Sequence, residues 1–215
     1  MKKTRSIVLL ILGFTTLCMF AGCLGKTKPP YIVDQYTLDY QLPGTDIPGK
    51  TLGEMLRVER FSVAPAFNST SMIVKSGQYR YNAYDYSRWC VNPGEMVTGF
   101  IFRDITRSKI FKGTYSYYDA DLSRYVLEGY IDEFGETPDG EAAIGVRVTF
   151  IDTSQKNPVE QIVFQKRYTQ VSKMSGRSPD ALAAALSDAM KKISGNIITD
   201  IHAAVNAKTT ASASR

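Results

Sequence analysis

One histidine and three cysteines are all that 215 residues supply of the side chains most often recruited for metal binding, acid–base chemistry and cross-linking. His202 has no serine or cysteine nucleophile and no orienting acid at a spacing that suggests a triad, so it reads as a solvated residue late in a helix. Cys18 and Cys23 fall at the N-terminus, which leaves Cys90 alone. A lone cysteine forms no intrachain disulfide, and without a nearby Cys or His it builds no metal site. It reads as a buried thiol beside Trp89. A phosphate-cradling glycine loop is also missing, because Gly44, Gly49 and Gly53 lack the strand–helix context that such a loop needs.

Long hydrophobic runs are scarce too. The longest, Ile7–Phe20, has fourteen residues and includes Thr15 and Thr16, short of the ~20 that a spanning helix requires. The formal charge of +5 hints at nucleic acid, but Lys2, Lys3 and Arg5 supply three of those charges. No Lys/Arg cluster remains in the rest of the chain, so no nucleic-acid partner is expected.

The first twenty-three residues do carry a pattern. Basic Lys2, Lys3 and Arg5 precede the apolar run, and Ala21-Gly22-Cys23 follows it. Charged, apolar and small-residue regions in that order form a secretory signal. Small residues directly before a cysteine resemble the bacterial lipobox, although Phe20 stands where leucine is usual. On this reading residues 1–22 are an export signal. Cys23 then takes a diacylglyceryl group and an N-acyl chain, the palmitate type of modification, and two or three chains anchor stably where one is marginal. No other cofactor is expected. Leu24, rather than an aspartate, leans towards the outer membrane over the inner. Residues 23–30 form a lipidated tether, 31–206 the folded domain and 207–215 a disordered tail.

Within the domain, Tyr31–Tyr40 reads as a strand, followed by a Pro43-Gly44 and Pro48-Gly49 loop. A second strand spans Met55–Val63 and stops at Pro65. Ser71–Tyr86 is rich in tyrosine, with a phase change near Asn82-Ala83 that suggests a bend. Tyr79, Tyr81, Tyr84, Tyr86, Arg88 and Trp89 either cover a sheet or form a partner-binding face, since Tyr, Trp and Arg are favoured at interfaces. Asn92-Pro93-Gly94-Glu95 starts a helix that runs to about Ser108. Three strands follow: Tyr125–Phe134, Ala142–Asp152 and Val159–Val171. The middle one alternates most clearly, with Ile144, Val146, Val148 and Phe150 on one face. Turn signals at Asp139-Gly140 and Asn157-Pro158 make these strands an antiparallel meander. Ser178-Pro179 opens a final helix whose apolar face includes Leu182, Leu186, Met190 and Ile193. The fold class is α+β, a single domain with a mostly antiparallel sheet covered by two helices. Asp132, Glu133 and Glu136 invite comparison with a glycosidase pair, but read more simply as solvated strand-end and turn charges. No enzyme is expected.

Several segments, taken in order, resemble a known family: the lipobox, Gln35–Leu38, Leu56–Pro65, Asn68–Met72, Tyr79–Trp89, Asn92–Met96 and Tyr125–Gly129. The chain is similar to the ABC-type transport auxiliary lipoproteins, which include the lipoprotein of the paraquat-inducible operon. The resemblance implies a fold like the N-terminal domain of TolB and a place on the periplasmic side of the cell envelope. It also implies work as a docking accessory of an MCE-type lipid transport system. The implied partners are an MCE-domain protein with its ABC permease and ATPase, and the membrane through the lipid anchor; a homo-oligomer fits a docking collar. The competing reading is a structural envelope-assembly lipoprotein with a TolB-like recruitment domain, because fold alone does not fix function.

Overall fold

The computed structural model describes residues 31–44, 51–119 and 123–213, with side chains as far as Lys208. The export signal, Cys23, the tether and the Pro48-Gly49 loop lie outside the described residues. In chain order the strands begin with β1 (Asp34–Tyr36), β2 (Leu52–Val58), β3 (Ser62–Val63), β4 (Ser71–Lys75) and β5 (Tyr81–Trp89). Helix α1 (Pro93–Ser108) leads to β6 (Phe111–Ser116), β7 (Tyr125–Glu136) and β8 (Glu141–Asp152). The one-turn helix α2 (Pro158–Gln161), β9 (Ile162–Lys173) and α3 (Pro179–Ala213) complete the chain.

The expected meander is present: β8 pairs antiparallel with β7 on one edge and with β9 on the other. The alternation of β8 buries Ile144, Val146, Val148 and Phe150 completely, and Gly140 takes the positive φ (77°) that its β7–β8 turn requires. The other edge of β7 receives three short strands in succession, all parallel to it. β2 sits at Tyr125–Leu127, β3 at Tyr130–Ile131 and β4 at Glu136. Outside these, β6 runs parallel to β2, β5 antiparallel to β4, and β1 parallel to β5. The result is a curled, mixed nine-stranded sheet. The fold is thus a mixed α/β single domain with three helices.

Both long helices pack on the face of β7 and β8 that carries Leu127, Ile131, Ile144 and Val148, and they touch each other. Their starts follow local chemistry. Asn92 Oδ1 accepts the Gly94 N–H at 2.8 Å with Pro93 in the first turn, and Ser178 Oγ accepts the Ala181 N–H at 3.2 Å. Lys109 closes α1 in the left-handed conformation at φ 56°. None of the described helices is long and apolar enough to cross a membrane.

Several expectations shift. The Tyr31–Tyr40 strand contracts to β1, because Leu38 and Tyr40 leave the ladder for the helices: Tyr40 stacks on Phe100 with centroids 4.9 Å apart, and Leu38 is 1% exposed. The Met55–Val63 strand splits where Phe61 turns inward over Gly129, at which a Cβ would collide with the ring. Ser71–Tyr86 becomes a hairpin turning at Ser76–Arg80. Strand β6 was not anticipated. α2 takes up the start of the strand expected from Val159, with Asn157 Oδ1 capping the Val159 N–H at 3.0 Å. The tail expected from 207 is instead helical to Ala213, since Val205 is buried and Lys208 Nζ pairs with Asp152 at 3.2 Å.

Candidate docking surface

The β4–β5 hairpin is fixed by one serine. The Ser76 N–H donates to the Arg80 carbonyl at 3.0 Å, while Ser76 Oγ accepts from Arg80 Nε and from Asn82 Nδ2, both at 3.1 Å. On this braced turn Tyr79 is 87% exposed. Tyr81 packs its edge on Phe67 with centroids 6.0 Å apart, and the Lys75 ammonium sits 5.8 Å from its ring centre. Tyr86 lies further along β5 and is about half exposed, as is Tyr81.

The other aromatic and basic residues proposed for this face serve the fold. Tyr84 donates its hydroxyl to Glu136 Oε2 at 2.6 Å, and burial together with that carboxylate pushes its phenol well above the ordinary range. Glu136 is itself buried and also faces Arg177 Nε at 3.4 Å. Arg88 turns back on its own strand, donating to the carbonyls of Tyr84 and Ser87 at 2.6 and 2.8 Å. Trp89 is a core residue, 2% exposed, edge-on to Phe134. Strand alternation explains the division, because Ser87 and Trp89 point inward and the next residue points out. Cys90 is accordingly exposed rather than buried. Tyr79, Tyr81 and Tyr86 remain on the surface.

The three acids are each held by an arginine. Asp132 accepts Arg167 Nε and Nη2 at 2.8 Å each, with Arg147 at 3.7 Å, and the Arg167 guanidinium holds its carboxyl below the usual range. Glu133 also faces Arg167, at 3.8 Å, whereas Glu136 is buried against Tyr84 and Arg177. His202 neighbours Asn206 Nδ2 at 3.1 Å. Among the described residues there is no cluster of three metal-ligating side chains.

Three polar features were missed from sequence. Buried Asp104 on α1 accepts Tyr40 Oη at 2.8 Å and Ser194 Oγ at 2.6 Å, tying the N-terminal segment to both long helices. Its position beside Ile101 and Ile105 in the apolar stripe of α1 was the available signal. Asp152, fully buried, gathers Arg124, Ser154 and Lys208. A cleft of about 410 Å³ lies between β9 and α3, where Asp200 accepts Lys166 Nζ and Tyr168 Oη at 2.6 and 2.7 Å.

Two crystal structures share this fold. That of protein XCC0632 from Xanthomonas campestris, of the DUF330 family, superposes with a TM-score of 0.73 at 14% identity, covering 83% of this chain and 99% of the other. A second, of an uncharacterized protein, has a TM-score of 0.60 at 15% identity, covering 79% and 99%. No curated protein matches the sequence. The family model described as ABC-type transport auxiliary lipoprotein component matches residues 36–198.

Proposed function

The chain belongs to the ABC-type transport auxiliary lipoprotein family, and on that premise we propose that it is a lipid-anchored accessory of an MCE-type ABC transport system in the bacterial envelope, acting by docking. The observation that carries this reading is the extent of the match. Residues 36–198 take in nearly the whole folded unit, from the end of β1 to the middle of α3. Ala21-Gly22-Cys23 supports the anchor, and Leu24 supports the outer membrane as its site. The transported lipid then passes through other subunits, while this domain holds the MCE protein and its permease and ATPase at a fixed distance from a membrane.

The test has two arms. Metabolic labelling with palmitate marks the wild-type protein and leaves Cys23→Ser unlabelled. Affinity capture from detergent-solubilised membranes returns an MCE-domain protein with its permease and ATPase. Equal labelling of Cys23→Ser refutes the anchor. Capture that returns envelope-assembly proteins and no transporter subunit refutes the transport role.

A further inference from the structure

Strand β1 runs parallel to β5, with Asp34 opposite Ser87 and Tyr36 opposite Trp89. The chain therefore enters the folded unit from the hairpin end of β5, and the ladder register carries Val33 to a place beside Tyr86. Val33 is 46% exposed. The hairpin turn, five residues back along β5 from Tyr86, presents Tyr79 and Tyr81 with Lys75 and Arg80 beside them; the acids along this strand are Asp34, opposite Ser87, and Asp85. Exposed apolar side chains along one strand edge carry a hydration cost that a contact would relieve.

Chain length says what that contact is. Val33 lies ten residue steps after Cys23 in the sequence, a reach of at most ~35 Å when fully extended. The connecting segment contributes Lys26 and Lys28 and no acid. Tyrosine rings beside Lys and Arg are the composition of the bilayer interface, where an apolar ring body sits below a polar tip and basic groups meet anionic headgroups.

We propose that the outer edge of the β4–β5 hairpin, from Tyr79 and Tyr81 at its turn to Tyr86 and Val33 further along β5, rests on an anionic phospholipid surface. The acyl chains supply attachment, and this tyrosine edge supplies orientation, so the domain stands on the membrane in one pose. The proposal rests on the anchor reading for Cys23.

The full-length lipidated protein, with Cys90→Ser and a single reporter cysteine, is reconstituted in vesicles of phosphatidylethanolamine and phosphatidylglycerol. The reporter is Gln78→Cys, next to Tyr79, or Lys156→Cys, in the loop after β8 at the opposite end of the β7–β8 ladder from Glu136. Each is labelled with an environment-sensitive fluorophore and titrated with spin-labelled lipid. The expected result is quenching several-fold stronger at position 78 than at 156, lost when Tyr79→Ser and Tyr81→Ser are added and weakened by Lys75→Glu with Arg80→Glu. Equal quenching at both positions in protein that floats with the vesicles overturns the tyrosine edge and leaves the anchor standing. Protein that does not float overturns the anchor and this proposal together. Shielding of position 78 only when the MCE protein is added assigns the edge to a protein partner and overturns the membrane contact.

Discussion

Replacing Asp104 by alanine is expected to cost this domain a large part of its stability. The carboxylate is fully buried between α1 and α3 and accepts three side chains: Tyr40 Oη at 2.8 Å, Ser194 Oγ at 2.6 Å and Arg103 Nε at 2.8 Å. The Arg103 guanidinium also lies over the rings of Tyr40 and Phe100, 4.6 and 4.5 Å from their centres. Without the carboxylate, two buried hydroxyls lose their acceptor, at about 1–3 kcal/mol each, and a cation loses its partner. Removing one member of a buried charged network costs about 3–5 kcal/mol. Against a domain stability of about 5–15 kcal/mol and a urea slope of about 2 kcal/mol/M, the unfolding midpoint should fall by roughly 2 M. Ser194→Ala alone should cost about 1–2 kcal/mol, and its cycle with Asp104→Ala should show coupling above about 0.5 kcal/mol. A midpoint for Asp104→Ala within about 0.3 M of wild type would refute the reasoning, because no desolvated network could then join these helices.

Gly129→Ala should destabilise by about 1–3 kcal/mol through its clash with the Phe61 ring. Thermal unfolding should show most of that cost disappearing in a Phe61→Ala background; an undiminished cost would place the clash elsewhere. Acid should unfold the protein early. Burial alone would raise the Asp152 carboxyl, but hydrogen bonds from Arg124, Ser154 and Lys208 outweigh it and hold the group well below the usual range, and Arg167 does the same for Asp132. Below the unfolded carboxyl value near ~4 the unfolded chain binds more protons, so stability present at neutral pH declines as pH falls from about 5. Arg124→Met should flatten that decline in pH-dependent urea melts, and an unchanged slope would exclude this network as its source.

The parts of this fold legible in the sequence are those with local causes. Asn92-Pro93 and Ser178-Pro179 start their helices where the capping side chain and the proline place them. β8 shows its alternation because one of its faces is buried throughout. Strand β6 was easily passed over because its alternating face, Phe111-Gly113-Tyr115, has a glycine at its centre; Gly113 leaves room for Met55 from the neighbouring strand, a contact set by tertiary pairing alone. The division of the tyrosine segment was hidden for a related reason. Periodicity detects that a strand has two sides without saying which is inward. The register slip between the Ser71–Arg88 and Ile73–Ala83 pairs lies in the region where the phase change was seen. It leaves Tyr84 and Trp89 facing inward and Tyr86 outward. Buried Asp104 was readable as a polar interruption of an apolar stripe, but its partners Tyr40 and Ser194, 64 and 90 residues away, were not.

The order in which the sheet is threaded also constrains when the chain becomes a solid object. β1, β4 and β5 find pairing among themselves, but β2 and β3 have none until β6 and β7 arrive, and β7 is the shared seam for β2, β3 and β4. Closing the loops that bring β3 and β4 onto β7 brings no reward before residues 125–136 exist, since distant contacts repay their entropy only once made. A chain emerging N-terminus first would therefore deliver more than half its length before the strand that joins its two early groups of strands, β1–β5–β4 and β2–β6. The late strand acts as a keystone, so the core closes only once β7 is in place.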